Sequence, residues 1–216
     1  MDVLRHGKGI LSYPYCEKYT GEWKDSLFNG HGTYTLANGD KYSGELNDGY
    51  FNGQGTMMYA DGNNYCGAWN DDERHGHGVM TYAKCAKYTG KWKDGQRHGQ
   101  GILLYADGEK YTGKWMDGRR HGKGILAYPD GEKYTGEWKD SLFNGQGTYT
   151  LADGDKYSGE FEDGDFNGQG TMTYANGAKY TGKWFLKSMV NPRLLCIKNI
   201  LATLQAICPR VACAFH

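Results

Sequence analysis

The stretch YTGKWMDGRRHGKGILAYPDGEK, residues 111–133, holds the pattern that decides the fold. Its tyrosine recurs every 23 residues without a slip, at Tyr19, Tyr42, Tyr65, Tyr88, Tyr111, Tyr134, Tyr157 and Tyr180. We count repeat positions from this tyrosine as position 0. Glycine always occupies position 2, and tryptophan, phenylalanine or leucine occupies position 4. A fixed period of this length is typical of a chain built from tandem structural units.

The glycines follow the same period. Positions 11 and 13 are glycine in all seven full repeats, as in Gly122 and Gly124, and the remaining glycines fall at positions 2, 7 and 20. The repeat therefore accounts for all 34 glycines, while residues 185–216 contain none. Such regular placement indicates backbone positions that a Cβ atom would obstruct.

Two strands are predicted in each repeat. Tyr111, Gly113 and Trp115 alternate with polar residues, which predicts a strand with one apolar face. A second alternating run follows, with leucine, methionine or tyrosine at positions 15 and 17. Asp-Gly or Asn-Gly pairs, such as Asp130-Gly131, then lead to the next tyrosine and predict a tight type I′ turn. Positions 6 to 12 are expected to form the other, longer connection.

The predicted architecture is all-β: an elongated, twisted antiparallel sheet of tandem 23-residue β-hairpins. Strands spaced by about 4.8 Å give roughly 10 Å per repeat and about 70 Å for seven repeats. The array is predicted over residues 1–184, with a partial repeat over 1–18, seven full repeats over 19–179 and a partial repeat over 180–184. Because one repeat buries too little apolar area alone, its aromatic residues must stack on those of its neighbours. The predicted core is Tyr19, Trp23, Tyr42, Tyr65, Trp69, Tyr88, Trp92, Tyr111, Trp115, Tyr134, Trp138, Tyr157, Tyr180 and Trp184.

The run from Tyr111 to Gly124 resembles the membrane occupation and recognition nexus (MORN) repeat, and the resemblance extends in register over nearly all of residues 5–184. It implies an extended antiparallel sheet with a groove, used for protein–protein scaffolding in cytoskeletal and ciliary assemblies and at membrane junctions. Phospholipid binding, and a regulatory role within a larger enzyme such as a lipid kinase or lysine methyltransferase, are further implications. Cys16 and Cys85 replace glycine at position 20, so the sequence does not predict the conformation of the turn at these two places.

The amino-acid composition limits the kinds of partner, site and cellular location that we expect. The 25 basic and 25 acidic residues balance, which disfavours nucleic acid as the main partner. Six cysteines without paired spacing favour reduced thiols over disulfides or zinc, and the first ten residues lack a secretory signal, so a cytoplasmic location is predicted. His75 and His77 form an H-x-H pair, but the absence of a fixed ligand set favours no metal there, and no cofactor is expected.

A longer period argues against catalysis. Residues 5–65 closely match residues 120–180 at an offset of 115, or five repeats, and only residues 66–119 lack a second copy. A catalytic site inside the copied block would exist twice. We therefore predict a non-catalytic scaffold that binds partner proteins. The alternatives are a peripheral membrane tether that binds acidic phospholipids and a regulatory segment of a larger enzyme.

Positions 9 and 10 divide the repeats into two kinds. They are Phe-Asn at Phe28, Phe51, Phe143 and Phe166, and Arg-His at Arg5, Arg74, Arg97 and Arg120. If these residues project from one edge as loops, the four phenylalanines are predicted partner anchors. The basic stripe Arg74, Arg97 and Arg120 is then the predicted site for acidic lipids or partners. The alternative is that phenylalanine covers the neighbouring loop while arginine pairs with Asp71, Asp94 and Asp117.

Residues 185–216 break the repeat. Apolar residues at helical spacing, among them Leu194, Ile197 and Leu201, predict an amphipathic helix over about residues 193–208. The run is too short to span a bilayer and contains Lys198. The helix is predicted to cap the open edge of the sheet. The alternatives are that it lies on an anionic membrane or that the tail is a splice or frameshift product.

Overall fold

A computed structural model describes residues 3–14 and 16–185, which form sixteen strands in one sheet. Every strand pairs antiparallel with its neighbours in the sequence, so the sheet order follows the chain order. The strands are β1 (Gly7–Ser12), β2 (Lys18–Lys24), β3 (Leu27–Thr35), β4 (Lys41–Asn47), β5 (Tyr50–Met58), β6 (Asn64–Asn70), β7 (Glu73–Thr81), β8 (Lys87–Lys93), β9 (Gln96–Leu104), β10 (Lys110–Met116), β11 (Arg119–Ala127), β12 (Lys133–Lys139), β13 (Leu142–Thr150), β14 (Lys156–Glu162), β15 (Asp165–Thr173) and β16 (Lys179–Phe185). The predicted all-β hairpin array is confirmed. The predicted tail helix lies outside the described residues.

The tight turns lie at the connection that the sequence assigned to a long loop. Met116 pairs with Arg119, which leaves only Asp117 and Gly118 between β10 and β11. Both turn residues have positive φ, 47° for Asp117 and 78° for Gly118. Positive φ at both central residues is the requirement of a type I′ turn, and aspartate tolerates it better than most residues do. The prediction of a long loop at positions 6 to 12 is therefore wrong, because most of that segment belongs to a strand.

The Asp-Gly pairs at the other connection form a different turn, so the type I′ prediction there is also wrong. In the turn after β9, only Gly108 of the Asp107-Gly108 pair has positive φ (89°). The Gly108 amide donates to the Tyr105 carbonyl at 3.1 Å. Asp107 uses its side chain instead, since its Oδ1 accepts from the Glu109 amide at 3.0 Å. This arrangement is a type I turn completed by a left-handed glycine.

Cys85 keeps the geometry of the glycine it replaces. Its φ is 65°, and its amide donates to the Tyr82 carbonyl at 2.9 Å, as the Gly108 amide does to Tyr105. Cys16 has a φ of 67°. The turns that the sequence left open are thus formed with a left-handed cysteine, a conformation that is strained for a residue with a Cβ atom.

The core depends on a tyrosine ring that lies over two glycines. Tyr111 is fully buried, and its ring covers Gly113 and the cross-strand residue Gly124. A Cβ atom at Gly124 would stand 2.4 Å from the Tyr111 hydroxyl oxygen, and one at Gly113 would stand 2.5 Å from the Gly124 Cα atom. The Tyr111 hydroxyl donates to the Lys114 carbonyl at 2.9 Å. Burial raises the pKa of Tyr111, which keeps the phenol a neutral donor.

Tryptophans join one repeat to the next. The Trp115 ring stands edge-on to Tyr111 in its own repeat at 5.1 Å and to Tyr88 in the preceding repeat at 5.4 Å. Edge-to-face contacts at these distances are the favoured geometry of aromatic pairs. Thirteen of the fourteen residues named as core are buried, while Tyr180 is 41% exposed. Tyr180 lies on β16, which has no further strand beside it in the described part of the chain.

We expect Trp115→Ala to lower the free energy of unfolding by about 3–5 kcal/mol, because a large aromatic side chain is removed from the centre of the ladder. Met116→Ala is the matched control, since Met116 is the next residue and is 39% exposed; its effect should stay below about 0.5 kcal/mol. Urea denaturation measures both. A change under about 1 kcal/mol for Trp115→Ala would contradict the assigned core.

Cys85→Gly is expected to stabilise the chain by up to about 1 kcal/mol. Relief of the left-handed cysteine gains about 1–2 kcal/mol, of which the greater freedom of glycine in the unfolded chain cancels roughly 0.5–1 kcal/mol. The reverse change, Gly131→Cys, should destabilise by a similar amount, because Gly131 has a φ of 94° and open space around a new Cβ atom. Denaturation midpoints that move in the same direction for both variants would refute this account of the turns.

Candidate partner-binding face

The four predicted phenylalanine anchors lie on strands and face the core. Phe51, Phe143 and Phe166 are 7–8% exposed, and Phe28 is half-buried. Phe51 stacks on Tyr42 with ring centroids 3.9 Å apart and an angle of 14° between the planes. The sequence placed these residues in projecting loops, whereas they belong to the second strand of each hairpin. Their use as partner anchors stays a prediction.

The arginines at the same position also cover the core. The guanidinium carbon of Arg97 lies 4.2 Å from the Trp115 ring centroid, and that of Arg120 lies 4.4 Å from Trp138. Each guanidinium also donates to a carbonyl in the tight turn of the next repeat, as Arg97 does to Gly118 at 2.9 Å. Arg74 makes the equivalent contacts, with Trp92 at 4.7 Å and the Gly95 carbonyl at 2.8 Å.

Phenylalanine and arginine at position 9 are thus two ways of covering the same aromatic ladder. The tryptophan face attracts the cation electrostatically, and the alkyl stem of arginine supplies apolar contact. The alternative role expected for these arginines from the sequence was to form ion pairs with Asp71, Asp94 and Asp117. Arg120 instead approaches Glu109, with 4.0 Å between Nη1 and Oε1. Binding of acidic lipids by Arg74, Arg97 and Arg120 stays a prediction.

The opposite face of the sheet is polar and open. It includes positions −1, 1 and 3 on the first strand of each repeat and positions 12, 14 and 16 on the second, which alternate with the core positions. Hydroxyl groups of adjacent strands bond to each other across it, as Thr148 and Ser158 do at 3.1 Å and Thr171 and Thr181 do at 2.9 Å. This face was not singled out in the sequence, although its residues follow the same 23-residue period.

Two grooves on this polar face are related by the long period. One has a volume of about 580 Å³ over β1–β4, and the other has a volume of about 590 Å³ over β12–β16. Six lining positions of the first recur in the second at the offset of 115. They are Thr20, His31, Gly32, Thr33, Ser43 and Gly44 in the first groove and Thr135, Gln146, Gly147, Thr148, Ser158 and Gly159 in the second. Six of the eleven lining positions of each groove are therefore shared between the two copies of the block.

Glutamates beside these grooves also hold the backbone. Glu45 Oε1 accepts from the Gln54 amide at 2.9 Å, and Glu160 Oε1 accepts from the Gln169 amide at 3.0 Å. Each carboxylate fills the space over a left-handed glycine, where a Cβ atom at Gly53 would stand 2.5 Å from Glu45 Oε2. The bulge in the second strand is thereby closed by a side chain of the first.

Residues 3–14 and 16–185 contain no cluster of three or more His, Cys, Asp or Glu side chains that could hold a metal ion. Cys16, Cys66 and Cys85 are exposed free thiols. The same part of the chain also has no helix with the length and apolar character needed to cross a bilayer.

We expect Arg120→Gln to lower the free energy of unfolding by roughly 1–2 kcal/mol, because the contact with Trp138 and the bond to the Ser141 carbonyl at 3.1 Å are both lost. Arg119→Gln is the matched control, since Arg119 is 66% exposed and pairs with Asp140 at 3.4 Å; its effect should stay within about 0.5 kcal/mol.

Both arginine variants remove one positive charge. If Arg120→Gln left stability unchanged but weakened retention on anionic vesicles more than Arg119→Gln did, the arginine would belong to a lipid site and not to the core. Thermal unfolding and vesicle sedimentation of the same two samples separate these outcomes.

Comparison with solved structures gives distant matches. The TCP domain of Drosophila melanogaster SAS-4, solved with a proline-rich motif of Ana2, is 13% identical with a TM-score of 0.45, over 82% of this chain and 90% of that chain. The G-box domain of the microcephaly protein CPAP is 16% identical with a TM-score of 0.38, over 83% and 100%. The TCP10 domain of Danio rerio CPAP is 14% identical with a TM-score of 0.36, over 81% and 94%.

Comparison with curated protein sequences gave no match. The family profile described as MORN repeat matches the chain eight times, at residues 4–14, 19–41, 42–64, 65–84, 88–110, 111–133, 134–156 and 157–179. These matches cover most of the chain and follow the register of the hairpins in the sheet. The chain belongs to the MORN repeat family.

Proposed function

We propose that this MORN repeat chain is a non-catalytic scaffold that binds segments of partner proteins along the polar face of its sheet. The observation that carries the proposal is the pair of grooves that share six lining positions at the offset of 115. Both grooves lie on the face that has no part in the core, so a ligand reaches them without opening the fold.

The chemistry of the grooves suits a polypeptide segment. Their lining combines threonine and serine hydroxyls with glycine backbone, as at Thr33, Ser43 and Gly44 in the first groove. Hydroxyls both donate and accept hydrogen bonds, and they sit here on strands whose own backbone groups are paired. Such a surface offers hydrogen bonds to the polar groups of an extended segment.

The repetition of the groove supports binding at two points. Ten strands separate equivalent positions of the two grooves, which corresponds to roughly 48 Å along the sheet at about 4.8 Å per strand. A partner with two copies of one segment, or a dimeric partner, gains avidity from engaging both grooves. A reaction site has no comparable reason to occur twice, and this supports a scaffold over an enzyme.

The family's use at cytoskeletal and ciliary assemblies and at membrane junctions makes a cytoskeletal or membrane-associated protein the partner that we propose. The chain would bind partner proteins in the same way if it were a regulatory segment of a larger enzyme. For the remaining alternative, a membrane tether, Arg74, Arg97 and Arg120 would have to leave their tryptophan contacts to meet a phosphate.

Thr33→Arg and Thr148→Arg test the two grooves, because each places a bulky cation at an equivalent lining position. In proximity labelling and pull-down from cells, we expect each single change to reduce recovery of the partners and the double change to reduce it at least about tenfold, as loss of bivalent binding does. Ala37→Arg is the matched control, since Ala37 is exposed in a short turn away from both grooves. Unchanged recovery with the double variant would refute the proposed function.

A further inference from the structure

The balanced charge of the whole chain conceals an uneven polar face. The face includes positions −1, 1 and 3 of each first strand and positions 12, 14 and 16 of each second strand. On β6–β11 these positions carry five exposed lysines and no acidic residue. The five are Lys87, Lys91, Lys110, Lys114 and Lys123. The same positions on β2–β5 and on β12–β15 each carry two lysines and two glutamates, so they are neutral there.

An aliphatic row runs between these lysines. Position 14 is Val79, Ile102 and Ile125 in the three central repeats, where the other full repeats have threonine. Ile102 and Ile125 are 40% and 39% exposed. Ile102 pairs with Thr89 and Thr112, and Ile125 pairs with Thr112 and Thr135, so the row crosses the strands in a line. We call this surface, the five lysines with the three aliphatic residues, the lysine face.

Lysines flank the aliphatic row on both sides. Lys91 and Lys114 lie two residues from the neighbouring threonines Thr89 and Thr112 in one direction along their strands, and Lys87 and Lys110 lie two residues away in the other. Two lysines four residues apart on one strand have Cα atoms about 13 Å apart. An α-helix with its side chains is about 10–12 Å wide, so one helix fits between the lysine rows.

The spacing along the row also matches a helix. One aliphatic residue occurs per repeat, which means every second strand or about 9.6 Å. In an α-helix, residues i and i+7 lie on one face about 10.5 Å apart. Alternate residues of an extended strand lie only about 6.7 Å apart, so an extended segment loses register after one repeat.

We propose that the lysine face docks an acidic amphipathic helix of a partner protein, with apolar side chains on the aliphatic row and carboxylates on the lysines at both flanks. The inference rests on the proposed scaffold function and names a partner chemistry for it. A membrane fits the surface less well, because the apolar face of an interfacial segment is buried about 5–10 Å deep in the bilayer, whereas these aliphatic side chains lie between lysines. The chain's own residues 186–216 contain four basic and no acidic residues, so the lysine face would repel them.

The test uses the full chain and two synthetic helical peptides of about three heptads, with leucine along one face. The acidic probe has glutamate on both flanks of the leucines, and the basic probe has lysine there. Fluorescence anisotropy is expected to show salt-sensitive binding of the acidic probe. Salt screens interactions between exposed charges, with a screening length of about 8 Å at physiological ionic strength. Binding of the basic probe should be at least about tenfold weaker.

Lys91→Glu/Lys114→Glu should weaken the acidic probe at least about tenfold and strengthen the basic probe, a reversal that general damage to the fold would not produce. Lys41→Glu/Lys156→Glu makes the same change in net charge at lysines outside the lysine face and should leave both affinities within about twofold. Ile102→Ser should weaken binding of the acidic probe without strengthening binding of the basic probe.

Equal binding of the two probes, or an equal loss with the control pair, would overturn the proposal. So would binding to anionic phosphatidylserine vesicles without binding to the acidic probe, which would make the lysine face a membrane surface. Thr33→Arg/Thr148→Arg should not affect the acidic probe, because both positions lie on strands outside β6–β11. Loss of the groove function and loss of the helix site are therefore distinguished.

Discussion

The structure depends on one steric arrangement, the tyrosine ring that lies flat over a cross-strand pair of glycines. A single-layer sheet has no second layer to bury its apolar face. The ring of Tyr111 solves this locally, because Gly113 and Gly124 leave the space that two Cβ atoms would otherwise fill. Its hydroxyl still reaches the Lys114 carbonyl, so burial leaves no unpaired polar group there. The tryptophan ladder and the covering phenylalanines and arginines pack on this layer of tyrosine rings.

This arrangement assigns different constraints to the two faces. On the core face a residue is acceptable only if it packs on the ladder, which both Phe51 and Arg97 do by different contacts. On the polar face no packing partner restricts the choice beyond the strand itself. Charge there changes from one block of repeats to the next, with Glu45 and Glu160 at position 3 in the copied blocks and Lys91 and Lys114 in the centre. One fold thus presents several surfaces in series.

The strand pattern was predictable because the period of 23 and the alternation of two agree in every repeat. The turns were not, because Asp-Gly occurs at both connections, as in Asp117-Gly118 and Asp130-Gly131. The two turns differ only in whether aspartate itself takes positive φ or accepts a hydrogen bond with its side chain, and that depends on how many residues the strands leave unpaired.

The expected long loop was assigned to the connection that is in fact the tight turn, and this placed position 9 in a loop instead of a strand. For that reason the phenylalanines and arginines at position 9 were expected to project. Continuing the alternation from Gly124 back to Arg120 places both on one face. The lysine face is not apparent from the balanced charge of the whole chain, because its lysines stand out only when charges are compared by repeat position.

The sheet order has a consequence for how the chain reaches this structure. Each strand packs against strands next to it in the sequence, so nearly all contacts join residues that leave the ribosome within a short time of each other. Chains with such local contacts close small loops and reach their folded states quickly. A hairpin near the N-terminus therefore has its partners before the distant end is synthesised, and every later repeat is added to a template already in place. The order in which the strands are synthesised is therefore also their order in the sheet.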